Sequence, residues 1–396
     1  MKKIFKDVRL CVMLGVVGCA GVSAWAQTQA LQVLYAVEPT ARRAALDVSQ
    51  PTVEAALGRA VGREVELTVS QDLTDAMRAT RSTGYDVFIG PAQIAASALA
   101  RGYELLGATS PSEAYVLVSR TEFKQLAALK GQRLYLPQQD SIYSYMARGL
   151  LNQAGLSMQQ MQVRHERIPQ AGLTALSLGV ADATVVRASD WEAWLREQPA
   201  QAHVLSTLGG VPGGVSVVVS KSLPAEQRQR LSAWFAAPAS RAGLPSARYR
   251  AEAADYQRVA ELGIFTPTSL PGVTRVSAQQ ALKLQQGGAV IVDTRIKKEF
   301  DALRIAGAVW LPYHEKSLKD VAFKVEQDDF SALDKAAYTK TQALVFSCNG
   351  AECWKSYKAA KWARAGGYSR VYWLRGGLPE WKEQGLPLQP STASGH

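Results

Sequence analysis

From residue 31 to about residue 235, short apolar β-like runs alternate with segments of helical spacing. Residues 31–37 predict a strand, and residues 53–61 predict a helix with apolar positions at Val53, Ala56, Leu57 and Ala60. Residues 64–69 alternate as a half-buried strand, 72–79 read as helix, and 85–89 form a buried run ending in Gly90-Pro91. Further strands are expected at 115–119, 133–136 and 183–186, with helices between them. This alternation predicts parallel sheets with crossover helices, in which ligands bind beyond the carboxyl ends of strands. Two prolines and a glycine between Thr266 and Gly272 then stop regular structure, so a boundary is expected near Pro271, after a short helical piece around 256–262. A second α/β series follows: helix 278–285, strand 289–293, a helix near Glu299, strand 343–347, helix 354–365, strand 370–374 and a terminal helix at 379–384.

The length of 396 residues fits two or three domains, and an apolar fraction of 47% excludes a chain disordered as a whole. Lysine and arginine number 45 against 34 acids, giving +11. Four of those positive charges and one negative charge lie before Leu10, so the remainder carries +8. The excess is spread along the chain, which favours small anions or acidic surfaces as partners and leaves no nucleic-acid block.

Residues 1–26 read as a secretory signal, with Lys2, Lys3, Lys6 and Arg9 before an apolar stretch and Ala24-Trp25-Ala26 as the cleavage site. Val16-Val17-Gly18-Cys19 resembles a bacterial lipobox, so lipidation of Cys19 is the competing expectation, and an uncleaved anchor is a third. All three place the domains outside the cytoplasm, in the periplasm. After cleavage only Cys348 and Cys353 remain of the four cysteines, and in an oxidising compartment they can pair with each other.

The apolar run 344–347 ends at Cys348, and Asn349-Gly350-Ala351-Glu352-Cys353-Trp354-Lys355-Ser356 leads into an alanine-rich helix. A cysteine between a strand end and a helix N-terminus meets backbone N–H groups and a positive dipole end, so a depressed thiol pKa is expected. Lys355, Lys358 and Lys361 recur every three residues and are expected to form a positive stripe near that mouth. The four histidines are scattered without ligand spacing, so neither a metal nor another cofactor is called for.

Over residues 274 to about 389 the sequence resembles the rhodanese (sulfurtransferase) family. The resemblance rests on Val290-Ile291-Val292-Asp293-Thr294-Arg295 with Glu299-Phe300, on Ile305-Ala306-Gly307-Ala308 with Leu311-Pro312, and on Val371-Tyr372, Gly376-Gly377 and Trp381. It implies that Cys348 takes sulfane sulfur from a thiosulfate-like donor, forms a persulfide and passes the sulfur to a thiol or to cyanide. Usual family members carry an arginine five residues after the catalytic cysteine. Here, aligned on Ser356, that place is Lys355, seven residues after Cys348. Lys355 and Cys353 join Cys348 as catalytic candidates, the latter as a resolving thiol, and Asn349, Gly350, Ala351, Glu352, Trp354 and Ser356 form the expected substrate loop. Asp293, Arg295 and Glu299 are expected to be folding elements, and Trp354, Trp362, Trp373 and Trp381 core aromatics.

Residues 30–240 resemble periplasmic solute-binding proteins of the phosphate and phosphonate type. Tyr85-Asp86-Val87-Phe88-Ile89-Gly90-Pro91, Leu129-Lys130-Gly131 and Ala175-Leu176-Ser177-Leu178-Gly179-Val180-Ala181-Asp182-Ala183 carry that resemblance. It implies two α/β lobes with a ligand between them, contacted by Thr40, Gly90, Ser141, Tyr143 and Ser144. Glu38 and Asp140 weigh against a highly charged phosphate there. The expected layout is therefore a signal (1–26), a two-lobed solute-binding-like domain (30–240), a linker (241–273), a small α/β rhodanese domain with a parallel sheet flanked by helices (274–390), and a tail (391–396). The function expected is sulfur transfer through a Cys348 persulfide, with a small oxyanion in the front domain and an ABC transporter or redox protein as partner. Two other readings stay open: a non-catalytic accessory binding protein, and a thiol–disulfide protein using Cys348 and Cys353.

Overall fold

The computed structural model describes residues 29–39, 49–81, 84–123, 125–198, 202–237, 243–244, 246–336 and 338–390. The expected signal with Cys19, the candidate Thr40 and the tail lie outside the described residues.

The front domain is built on one eight-stranded sheet of β1 (Leu31–Ala36), β2 (Val65–Ser70), β3 (Val87–Gly90), β4 (Tyr103–Ser119), β5 (Arg133–Leu136), β6 (Gln162–His165), β7 (Ala183–Arg187) and β8 (His203–Ser220). Their order is β2-β1-β3-β8-β4-β7-β5-β6. The helices are α1 (Gln50–Val61), α2 (Leu73–Ala79), α3 (Ala92–Leu99), α4 (Ile142–Gln153), α5 (Ala171–Ser177), α6 (Ala188–Glu197), α7 (Ala225–Ala236) and α8 (Ala253–Glu261). In α1 the buried residues Val53, Leu57 and Val61 recur every four positions, Pro51 opens the helix and Gly62 closes it at φ 69°.

The expectation of wholly parallel sheets needs correction. Strands β1, β2 and β3 are mutually parallel, as are β5, β6 and β7, but β3–β8, β8–β4 and β4–β7 are antiparallel. The long strands β4 and β8 cross from one lobe to the other: Tyr103 pairs with Ser220 beside β3, and Ser119 pairs with His203 beside β7. Their pairing slips repeatedly between these ends, around Gly210 at φ 75° and Gly214 at φ 63°, where a Cβ would be strained. The paired strands are thus the connection about which two lobes can move.

The stretch expected as linker is not all linker. Helix α8 packs Tyr256, Val259 and Ala260 into the front domain's core, and the Tyr256 hydroxyl lies 2.7 Å from Ser216 Oγ. The boundary stretch proper is the proline-rich segment after it.

The second domain carries β9 (Thr274–Arg275), α9 (Ala278–Gln286), β10 (Val290–Asp293), α10 (Lys297–Ala302), β11 (Leu303–Ile305), β12 (Val309–Trp310), α11 (Ser331–Lys335), β13 (Leu344–Ser347), α12 (Trp354–Ala365), β14 (Val371–Leu374), α13 (Gly377–Glu383) and β15 (Leu388–Pro390). Five strands form a parallel sheet in the order β12-β10-β13-β14-β9, with β13 at its centre. Leu344 and Phe346 face one apolar layer, with Tyr357, Ala360 and Trp373, whereas Val345 faces the other, with Ala281, Ile291 and Trp381. Burial on both faces explains the unbroken apolar run of β13. Each such side chain contributes about 1.5–3 kcal/mol, so the strand end that carries Cys348 is firmly placed.

The two domains meet through buried charge. Arg101, just after α3, pairs with Glu352, which is 3% exposed. Lys319 Nζ lies 2.7 Å from Asp140, and Arg148 on α4 donates to the Lys319 carbonyl at 2.6 Å and faces Asp320 at 3.7 Å. The second domain therefore grips both lobes, the first through Arg101 and the second through Asp140 and Arg148.

Candidate functional site

Cys348 follows β13 and Cys353 caps α12, and the two are joined as a disulfide with Cα atoms 6.0 Å apart. Neither sulfur titrates in this form, so the expected depression of the thiol pKa concerns the reduced loop. The loop is pinned at its carbonyls: Ser347 accepts from Thr294 N–H and hydroxyl, Cys348 from Leu378 N–H at 2.8 Å, and Ala351 from Thr266 N–H at 2.8 Å. The N–H groups of Asn349, Gly350, Ala351 and Glu352 donate to no acceptor among the described residues. They are the amide donors that a loop of this kind offers to an anion. Gly377, at φ 60°, passes so close that a Cβ there would lie 2.1 Å from the Cys348 carbonyl oxygen, so only glycine fits beneath the loop.

Cys348 and Cys353 both line a cavity of about 420 Å³ between the domains, with Cys348 2% exposed. Its second-domain wall includes Asn349, Glu352, Trp354 and Lys355, and its front-domain wall is made by Thr74, Arg78, Arg81 and Gln139. Burial holds the Lys355 ammonium below its usual pKa, opposed by Glu315, Glu299 and Asp293 and reinforced by Arg78. The Lys355 ammonium also sits 5.0 Å from the centre of the Tyr313 ring. Glu299 accepts from Asn349 Nδ2 at 2.8 Å, so a residue expected only to support folding positions the loop.

The expected lysine stripe does not form. Lys358 is fully buried, 2.7 Å from Glu315 and bonded to the Ser317 carbonyl, because the 315–328 segment folds over the helix. Lys361 donates to the Val321 carbonyl, leaving Lys355 alone of the three at the cavity. Ser356 is buried and accepts from Trp373 Nε1 at 3.1 Å, so it supports the loop from behind and does not line the cavity. Gly350, at φ 107°, and Ala351 lie at the turn facing Arg101 and Thr266. Asp293 and Arg295 form a buried bidentate pair, with Arg295 also donating to the Leu303 carbonyl, and Arg295 lines the cavity as well. Trp354, Trp373 and Trp381 are buried core aromatics and Trp362 packs against the same core.

In the front domain Ser141 caps α4 by accepting from Ser144 N–H, and the Ser144 hydroxyl donates to the Gln138 carbonyl at 2.9 Å. Tyr143 is buried edge-on against Tyr115, and Gly90 is buried where a Cβ would lie 3.2 Å from Ala36 and Ile94. Asp140 faces the Tyr145 hydroxyl and Lys319. Burial works to raise its pKa, but the Lys319 ammonium together with hydrogen bonds from Lys319, Thr74 and Tyr145 holds it below the usual carboxylate range. Glu38 accepts from the Ile142 N–H at 3.2 Å, so the chain's own carboxylate meets the start of α4.

Burial raises Glu38 to about 7, against the pull of Ile142 N–H and Arg187. A carboxyl raised in this way takes up a proton on folding, so its contribution to stability falls as pH rises from about 4.5 through about 7. At about 1.4 kcal/mol per pKa unit, the loss reaches up to about 3 kcal/mol by pH 8. Glu38→Gln should therefore raise the melting temperature at pH 8 and change it little at pH 4.5, a difference that parallel thermal melts at the two pH values will read.

Comparison with known proteins agrees with this architecture. The family described as "ABC transporter, phosphonate, periplasmic substrate-binding protein" matches residues 35–261, and "Rhodanese-like domain" matches residues 277–384. A thiosulfate sulfurtransferase GlpE of Ectopseudomonas mendocina is 32% identical over 108 residues, covering 27% of this chain and 84% of that protein. PhnD1 of Prochlorococcus marinus, solved with methylphosphonate, is 15% identical with a TM-score of 0.46, covering 59% of this chain and 97% of that one. A binding component of a Pseudomonas aeruginosa phosphonate transporter is 14% identical with a TM-score of 0.43, over 59% and 86% of the two chains. The chain belongs to the phosphonate-type periplasmic substrate-binding protein family and carries a rhodanese-like domain behind the binding domain.

Proposed function

We propose that this chain works in the periplasm as a sulfurtransferase whose reactive group is Cys348. The observation that carries this reading is the place of Cys348, at the end of a buried central strand and on the wall of a cavity with Lys355 and three arginines, Arg78, Arg81 and Arg295. A dithiol reductant first opens the Cys348–Cys353 disulfide, taking its own oxidation in exchange. The Cys348 thiolate then attacks the sulfane sulfur of thiosulfate or a similar donor. The new S–S bond forms as the donor's S–S bond breaks, and sulfite leaves with the electron pair. Cyanide or an acceptor thiolate takes the outer sulfur and returns the thiolate. Loop N–H groups and Lys355 stabilise the anionic groups of these steps. Cys353 closes the resting form and shields Cys348 from over-oxidation.

The partner is an ABC transporter, docked by the front domain, or a redox protein. A small oxyanion entering between the front domain's lobes, toward Gly90, Ser141, Tyr143 and Ser144, has to displace the Glu38 carboxylate or meet it protonated. The disulfide itself favours a second reading, a thiol–disulfide exchange protein. Thiosulfate–cyanide turnover by full chain treated with a dithiol, compared with untreated chain, tests the first reading. Turnover that appears only after reduction supports it, and a fully reduced chain without turnover leaves the exchange reading.

A further inference from the structure

The rhodanese loop has a lysine where the family's arginine would stand, and a lysine is a point charge that does not offer the planar fork suited to a sulfonate group. The cavity wall opposite holds two arginines from the other domain. Arg78 is already paired with Asp75. Arg81 is not: its Nε is buried without a hydrogen-bond partner, and no ion pair engages its guanidinium among the described residues. Burial lowers its pKa against the pull of Glu352, Asp140 and Glu299 and with the repulsion of Arg101, so acids of both domains face it without binding it. An unengaged guanidinium on a cavity wall is costly unless something anionic visits it.

Its position is fixed relative to the sulfurs. The hydroxyl of the preceding Thr80 lies 2.6 Å from Ser97 Oγ, and Ser97 donates to Glu352, the residue before Cys353, at 3.4 Å. Arg101 closes the same link from α3 to Glu352. A short chain of buried polar contacts thus ties the Arg81 backbone to the cysteine loop.

We propose that Arg81 of the front domain is the donor-binding arginine of the rhodanese site, gripping the sulfonate end of a thiosulfate-like donor across the domain interface while its sulfane sulfur faces Cys348. This rests on the sulfur-transfer reading and adds to it: the site is composite, and the front domain supplies the anion recognition that the loop lacks. The lobe that in its relatives belongs to a solute-binding protein here presents a wall to another domain's chemistry.

The test uses the full chain. Arg81→Gln should raise the thiosulfate KM by roughly tenfold or more, as loss of a charged hydrogen-bonding partner does, and leave the cyanide KM unchanged. Arg81→Lys should recover only part of it. Calorimetric titration of thiosulfate into Cys348→Ser chain, with and without Arg81→Gln, reads binding without turnover. A Kd raised about tenfold by Arg81→Gln supports the proposal even if the wild type proves inactive, in which case only the sulfur-transfer reading falls. Equal Kd and equal KM in Arg81→Gln, with a melting temperature like wild type, overturn the proposal and leave sulfur transfer standing.

Discussion

Cys348→Ser should abolish thiosulfate–cyanide turnover, by at least about 10³-fold, because no other group takes the sulfur once the nucleophile is gone. Cys353→Ala should do the reverse of harm at first. It retains the nucleophile, cannot form the intraloop disulfide, and should turn over without prior reduction. Its cost is exposure: the variant's Cys348 should be lost to peroxide faster than that of wild type, whose disulfide is reversible. Steady-state rates of the two variants, with and without a dithiol, read both effects. Turnover that survives Cys348→Ser would place the chemistry elsewhere, and turnover lost in Cys353→Ala would make the pair itself the reactive unit.

The second large effect is expected at the domain interface. The Glu352 carboxylate is buried, and Arg101 engages both of its oxygens. Arg101→Ala removes the cation and leaves that carboxylate in a poor environment, at a cost of about 3 kcal/mol. Urea unfolding should show this as a lower midpoint. Because Glu352 immediately precedes Cys353, the loop should loosen as well, with faster reduction of the disulfide by a given dithiol. Adding Glu352→Gln removes the stranded charge and should restore most of the stability, so the double-mutant cycle separates the pair from general damage. A midpoint unchanged in Arg101→Ala would mean that the pair contributes nothing to docking.

The parts of the molecule written in local pattern were legible. Strand β13, its abrupt end at Cys348 and the helix from Trp354 follow from an apolar run, a turn and an alanine-rich periodic segment. The lobe strands with three or four apolar residues in a row were equally plain. What escaped was non-local. Strands β4 and β8 extend through glycine-rich and polar stretches where alternation is broken by register slips, so their length shows only when each is laid against the other. Helix α8 looked like part of a linker because its single apolar face, centred on Tyr256, has meaning only against the front domain's core. Lys358 looked exposed by spacing, yet a segment some forty residues earlier in the chain covers it.

The composite site was the least visible. Arg101 and Glu352 stand 251 positions apart, and nothing in either neighbourhood announces the other. The missing loop arginine was one available signal, since it raises the question of where the anion's counter-charge comes from. The loop's acid was a second: a glutamate beside a reactive cysteine repels anions unless a cation neutralises it, and Arg101 does so from the other domain.

Whether Cys348 carries sulfur is read by intact-mass and peptide mass spectrometry. Full chain reduced with a dithiol, freed of reductant and exposed to thiosulfate should gain the mass of one sulfur atom, located on Cys348 and removed by cyanide, whereas chain kept as the disulfide should gain nothing. A fully reduced chain that gains no sulfur on Cys348 would rule out Cys348 as the sulfur carrier.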